Sequence, residues 1–258
     1  MDKKYILAID IGNTTVALAV LRGERVVKVW RVESVLESRD LKAELTVVFK
    51  RIKNNYPAIS KIISCSVVPR VSQVVASIIK QVFRKDLYFV GADIKVPMRN
   101  CYRNPRQVGQ DRLVGAYAAK ILYGVPVIVI DSGTAITFDI ISKKGEYLGG
   151  MIIPGLRLST ESLFKRTALL PKIKIKTPKE IIGRDTESSI LSGIFYGYGA
   201  LCDGLIDLIA QKLKAKPKVI LTGGHARLIR RFIRRSNCVI EEDLVFKGIH
   251  LIDQHCSR

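Results

Sequence analysis

Apolar and polar positions alternate through the first third of the chain, with apolar residues at Leu7, Ile9 and Ile11 and again at Val16, Leu18 and Val20. Stretches 5–11, 15–21 and 26–32 therefore read as three strands, joined by a turn at Gly12 and by Arg22-Gly23-Glu24-Arg25. The period then changes. Leu41, Leu45, Phe49 and Ile52 recur at helical spacing and predict a helix over 40–54. A β-like run at 61–68 stops at Pro69. Val71, Val74, Ile78 and Val82 fall on one face of a second helix, and a short strand follows at 87–90. Residues 91–110, with Pro97 and Pro105, show no period. Connections of this length are uncommon in compact domains and often functional. A helix over 111–122 closes the half.

The second half repeats the plan, with strands at 126–131, 134–141 and 147–153 and a turn at Lys143-Lys144-Gly145. A helical region over 186–213 contains Gly193, Gly197, Gly199 and Gly204, which implies close packing or a break. A strand at 218–221 runs into Thr222-Gly223-Gly224, and a basic helix over 227–235 follows. The tail reads as a short strand near 244–246 and a short helix. No linker rich in Pro, Gly or Ser divides the chain, so the expected halves are 1–123 and 124–258. The pattern predicts an α/β fold of two duplicated domains, each a mixed sheet flanked by helices.

Composition agrees with this reading. The 258 residues are 48% hydrophobic and 26% charged, as in an ordinary globular chain. No apolar run approaches the ~20 residues that span a bilayer. Lys3 and Lys4 ahead of an apolar stretch imitate a signal peptide, but Asp10 and Asn13 interrupt it. The expectation is a cytoplasmic protein with no membrane partner. Five scattered cysteines without a C-x-x-C pair form neither a disulfide framework nor a zinc site. His250, His255 and Cys256 lie close in sequence, and a mildly polar tail is the simpler reading than a metal site. The net charge of +20 fits nucleic acid, an anionic surface or small polyanionic substrates. Lys and Arg are spread along the chain, as on a solvated face, so nucleic acid is not the expected partner.

Candidate chemistry lies in a near-repeat. Ala8-Ile9-Asp10-Ile11-Gly12-Asn13-Thr14-Thr15 and Val129-Ile130-Asp131-Ser132-Gly133-Thr134-Ala135 are each a strand, an Asp-x-Gly turn and small hydroxyl residues. Backbone N–H groups and hydroxyls in such a turn form a nest for phosphate oxygens. A carboxylate there must hold a cation or a bridging water rather than phosphate itself. One loop in each half would grip a polyphosphate and its metal, and this points to ATP. Thr222-Gly223-Gly224, at a strand-to-helix turn, lets backbone approach a flat base or ribose. Together the three elements resemble the phosphate-1, phosphate-2 and adenosine pattern of the actin-like (ribonuclease H-like) ATPase and sugar-kinase superfamily, whose domains each carry a five-stranded mixed sheet.

Tyr102-Arg103-Asn104-Pro105 followed by Gly109-Gln110-Asp111-Arg112 resembles the Y-x-x-P…G-x-D-R segment of the type III pantothenate kinases. DIGNT at 10–14, DSGTA at 131–135, GGMIIPG at 149–155, Leu170-Pro171 and LTGGHA at 221–226 also fit that family. Gly183-Arg184-Asp185-Thr186 resembles its G-x-N-T element, with Asp185 where Asn is more usual. The resemblance covers essentially the whole chain. It implies phosphorylation of pantothenate by ATP, the first step of coenzyme A synthesis.

Residue roles follow as what the resemblance implies. Asp111 is the expected proton acceptor, kept ionised by the helix N-terminus and Arg112, although it equally reads as a helix N-cap. Tyr102, Gly109, Gln110, Asp111, Arg112 and Thr186 would form the substrate pocket, Arg112 suiting a carboxylate. Tyr102 equally reads as a core aromatic and Thr186 as a helix cap. Asp10, Ile11, Gly12, Asn13, Thr14, Thr15, Val16, Ala17 and Thr134 would bind ATP. Asp10 would also organise magnesium through water, and Asp131 a monovalent cation, potassium or ammonium. A homodimer is implied as well. The alternative is a regulatory nucleic-acid-binding protein on the same scaffold.

Overall fold

In the computed structural model, residues 5–34, 38–235 and 237–256 are described. Contacts group the chain into two compact units, Met1–Ala118 with Asp243–Arg258, and Ala119–Glu242.

The first unit is built on β1 (Tyr5–Ile11), β2 (Thr15–Arg22), β3 (Arg25–Glu33), β4 (Ile59–Ser66) and β5 (Tyr88–Phe89), in the order β3-β2-β1-β4-β5. β1–β2 and β2–β3 are antiparallel, whereas β4 joins β1 and β5 joins β4 in parallel. Strand alternation sends Leu7, Ile9 and Ile11 to one face. There they meet Leu45, Phe49 and Ile52 of α1 (Ser38–Asn55) and Val75, Ile78 and Ile79 of α2 (Pro69–Phe83), all buried. Ala8 and Asp10 point to the opposite face. α3 (Gln110–Tyr123) starts in the first unit and runs past its boundary at Ala118.

The second unit repeats the topology. Its strands β6 (Val127–Ser132), β7 (Ala135–Ile141), β8 (Tyr147–Pro154), β9 (Lys218–Thr222) and β10 (Cys238–Ile240) lie in the order β10-β9-β6-β7-β8, with the same parallel and antiparallel pairings. α4 (Leu156–Arg166), α5 (Thr186–Leu213) and α6 (Ala226–Arg230) complete it. Ile128, Ile130, Phe138, Leu191, Phe195, Ile206 and Leu221 form its core. α5 is one continuous helix despite its glycines. Gly199 marks a close approach, since a Cβ there would collide with the Phe232 carbonyl, while Gly193, Gly197 and Gly204 face open space. By length and hydropathy α5 also qualifies as a membrane span, which the sequence reading did not register, but Leu191, Phe195, Cys202, Ile206 and Ile209 bury one face of it in this core.

Three features depart from the sequence pattern. The basic helix stops at Arg230 rather than continuing to Arg235. Phe232 leaves the helical path to pack against Phe195 and Tyr196, with ring centroids 5.0 and 4.9 Å away. The last strand is Cys238–Ile240, and the segment 244–246 is instead the first turn of the final helix α7 (Leu244–Cys256). Finally, α7 follows the second half in sequence but packs on β1 of the first unit. Gly248 permits this, because a Cβ there would overlap the carbonyl of Val114 in α3. α7 is pinned further by the Lys61–Asp253 ion pair.

Candidate active site

Asp10 ends the exposed reach of β1, partly buried, opposite Ala17 on β2 and Cys65 on β4. The turn beyond it is fixed by backbone bonds from Gly12 N to Thr15 O (3.0 Å) and from Ser34 N to Thr14 O (2.9 Å). The Ser34 hydroxyl donates to Gly12 O at 2.9 Å. Asn13 is exposed and Gly12, Thr14, Thr15 and Ala17 are partly so. Ile11 and Val16 are fully buried in the first core, so only their backbone can reach a nucleotide.

Residues 91–110 contain one short 3-10 turn, Pro105–Gln107, capped by Asn104, whose Oδ1 accepts from Arg106 N at 3.3 Å. Tyr102 is half-buried, and its N–H donates to Asn100 Oδ1 at 3.0 Å. Asp111 lies inside the first turn of α3 and is not its N-cap. Its Oδ1 accepts from Arg112 N at 2.8 Å and folds back over Gly109, where a Cβ would collide with it.

The Asp111 charge acts on Asp10. Burial first, and then the Asp111 charge, raise the Asp10 carboxyl to about 7, against the lowering hydrogen bond from the Cys65 thiol. Asp111 is raised as well, by burial, against the pull of the Arg112 N–H and guanidinium. The expectation that Arg112 and the helix terminus dominate is therefore corrected: desolvation outweighs both. Two carboxylates pressed into a dense site are a natural seat for a hard cation.

Gln110 borders a cavity of about 440 Å³ lined with Ser66, Val67, Phe89, Val90 and Gly91. Its Oε1 is buried without a hydrogen-bond partner, and its side chain occupies the space that a Cβ at Gly91 (φ +95°) would need.

In the second unit Asp131 ends β6, and Gly133 N bonds to Ala135 O at 3.0 Å across the turn. Gly223 has φ +88°, and a Cβ there would strike both Asp131 Oδ1 and the Ser132 carbonyl. This places the Asp131 carboxylate and the Ser132 carbonyl close against the Gly223 backbone. Thr134 is exposed, and its carbonyl accepts from Gly155 N at 3.1 Å. Thr186 opens α5, exposed, beside a cavity of about 580 Å³ lined by Leu163, Leu170, Arg184 and Asp185. Asp185, not Thr186, is the N-cap. Its Oδ1 accepts from Ser188 N at 2.8 Å, while Asp185 N donates to the Ser188 hydroxyl at 3.1 Å. That bond from Ser188 N–H holds its carboxyl below the usual range. Asn caps as well as Asp, which accounts for the departure from the G-x-N-T pattern.

His225, which sequence reasoning passed over, follows the Thr222-Gly223-Gly224 turn. Its N–H donates to Ser132 O at 3.0 Å, and burial, with Arg157 nearby, lowers its imidazole pKa. Cys65 was missed too, because the pairing of β1 with β4 is not visible in sequence. The tail residues His255 and Cys256 are exposed and His250 is buried in α7; no metal-binding group of three forms among the described residues.

Two copies of one mixed sheet, each presenting an Asp-x-Gly turn at a strand end, define the duplicated fold of the actin-like ATPase and sugar-kinase class. Solved structures agree on the fold. A Baf family transcriptional activator from Campylobacter jejuni superposes with a TM-score of 0.63 at 20% identity, covering 97% of this chain and 98% of that one. A ROK family glucokinase from Streptomyces griseus, in complex with glucose and AMPPNP, gives 0.52 at 12% identity over 97% and 98%. At such identities they show fold alone. The family model described as type III pantothenate kinase matches residues 6–208. Type III pantothenate kinases from Sulfurihydrogenibium sp. (38% identical, 97% of this chain, 100% of the relative) and Syntrophus aciditrophicus (39%, 96% and 98%) are similar throughout. The chain belongs to the type III pantothenate kinase family. Membership carries the activity, ATP-dependent phosphorylation of pantothenate in coenzyme A biosynthesis, and does not favour the regulatory reading.

Proposed function

We propose that Asp111 accepts the proton of the pantothenate primary hydroxyl as the γ-phosphoryl group of ATP is transferred to it, giving phosphopantothenate. The observation that carries this is the fixed place of the Asp111 carboxylate in the first turn of α3, bonded by Arg112 N–H at 2.8 Å and seated over Gly109. A base is most effective when its pKa approaches the working pH, and burial moves Asp111 in that direction. Gly109 holds its carboxylate in place by leaving room for it.

Asp10 organises magnesium through water, and the Gly12–Thr15 turn, with the backbone of Ile11, Val16 and Ala17, lines the phosphates. Magnesium, when bound, neutralises charge developing on the phosphates. In the second half Thr134 binds ATP and Asp131 holds potassium or ammonium, supported by the oxygens gathered around Gly223. The proposed functional division is 1–123, with the first phosphate loop and the base, and 124–258, with the second loop and the adenosine element, while α7 of the latter packs with the first unit.

Pantothenate has a compact apolar head, an amide and a terminal carboxylate. The cavity beside Gln110 suits the first two, with its apolar walls and the unpartnered Oε1 as an acceptor for the amide N–H. Arg112 pairs with the carboxylate, and Tyr102 and Thr186 complete the recognition set. We propose a homodimer on the strength of Leu169, Ile181 and Ile182, which are 92%, 62% and 74% exposed near Thr186. ATP and pantothenate as substrates make the cytoplasm the expected location. Arg227 pairs with Glu242 and Arg235 with Asp203 and Asp207, so acidic partners blunt the basic segment as a nucleic-acid face.

The test is phosphorylation of pantothenate by the purified protein with ATP and Mg2+, with and without potassium, on wild type and Asp111→Asn. Product from the wild type, stimulated by potassium and lost in the variant, is expected. Equal turnover by Asp111→Asn would remove Asp111 as the base.

A further inference from the structure

Asp10 sits in parallel register with Cys65 of β4. Paired residues of adjacent strands face the same side, so the thiol and the carboxylate meet directly. Cys65 Sγ donates to Asp10 Oδ1 at 3.3 Å, and it is the one side-chain donor to that carboxylate among the described residues.

The simplest role for a buried free cysteine is that of a small apolar filler. Two observations argue for more. Cys65 is 0% exposed and not in a disulfide, so its S–H is shielded from water and directed to Asp10. The end of β4 is also clamped: Val67 N donates to Ile11 O at 3.1 Å, Ser72 Oγ to Ser66 Oγ at 2.7 Å, and Val68 N to Ser66 Oγ at 3.1 Å. The sulfur is thereby held against β1 by the strand pairing itself and by the bonds that fix the chain immediately after it. A filler needs no such alignment with a carboxylate oxygen.

We infer that Cys65 is a positioning residue for Asp10: its thiol fixes Oδ1 and so sets the orientation in which the carboxylate meets the magnesium-bound water. This rests on the role proposed above for Asp10. A carboxylate has about four lone-pair sites, so one thiol bond leaves the other oxygen available. Outer partners of this kind hold a ligand in the geometry its metal requires, and their loss typically weakens metal binding by about 10-fold or more.

The experiment measures Mg2+ binding calorimetrically to enzyme holding a non-hydrolysable ATP analogue, beside steady-state turnover, for wild type, Cys65→Ala, Cys65→Val, Cys65→Ser and Asp10→Ala. Cys65→Ala and Cys65→Val remove the donor, Val also restoring volume if Ala proves unstable. Both should weaken Mg2+ about 10-fold and raise the half-saturating Mg2+ in turnover equally, with the KM for pantothenate unchanged. Cys65→Ser keeps a donor and should stay within about 2-fold of wild type. Unchanged Mg2+ affinity in Ala and Val, or equal damage in Ser and Ala, overturns the inference. The Asp10→Ala variant separates the two levels. Wild-type Mg2+ affinity there refutes the role of Asp10 itself, whereas its loss there with retention in Cys65→Ala refutes only the part assigned to Cys65.

Discussion

The carboxylate of Asp111 occupies the space that a side chain at Gly109 would need. Glycine at this position is thus a requirement of the neighbouring carboxylate rather than of its own dihedral angles. Gly109→Ala should fold, because the helix bond from Leu113 N to Gly109 O (3.3 Å) needs no side chain. It must nevertheless displace the base. A misplacement of about 1 Å costs on the order of 100-fold in rate, so kcat should fall by that order with the circular dichroism spectrum unchanged.

Asp111→Asn removes the proposed proton acceptor but keeps the shape and the acceptor for Arg112 N–H. Turnover should drop by roughly 100- to 10,000-fold, the range of general-base contributions. Nucleotide affinity, measured by calorimetry, should stay near the wild-type value.

Asp10 carries a stability signature of opposite sign to its catalytic value. Its pKa is raised from 3.8 to about 7 in the folded protein. The stability linked to this group is therefore fully present below 3.8 and is lost as pH rises through about 7. Without metal, Asp10→Asn should melt higher than wild type at pH 8, by about 2–4 °C for each kcal/mol relieved. The gap should close toward pH 4, and the variant should have lost turnover. Thermal unfolding at both pH values, in the presence of a chelator, reads this directly.

Gly223 combines a positive φ with contact against Asp131. Gly223→Ala strains the backbone and pushes on the carboxylate at once. Asp131→Asn removes only the charge. Both should lose stimulation by potassium, and Gly223→Ala should weaken ATP as well, so potassium titrations of turnover separate the two.

At the start of α5, Asp185→Asn should leave the melting temperature unchanged because either residue caps, and Asp185→Ala should lower it. A drop in the Asn variant would show that charge, not capping, matters there.

The duplicated sheet was readable in sequence because β1 and β6 carry both the strand period and the same Asp-x-Gly ending. Asp111 was readable through its G-x-D-R setting. The relations that tune these residues were not. Cys65 meets Asp10 only through parallel pairing across fifty-five positions, and no local period records such a partner. The dominance of burial over Arg112 at Asp111 depends on packing density, which a charge pattern does not report. Phe232 illustrates the same limit. Its basic neighbours have good helical propensity, yet ring packing against Phe195 and the close approach at Gly199 decide the backbone path. At Leu244 a short apolar run served equally as strand or helix until its packing against β1 was known.

The return of α7 to β1 bears on how the chain is made. Asp10 precedes Ile249 and Ile252, buried on α7, by the whole length of the second unit. Domains often fold as they emerge, but here the earliest sheet has one face whose covering helix is synthesised after the entire second unit. The first sheet thus waits for a helix made after the whole second unit, and the Asp10 site matures only once α7 has emerged.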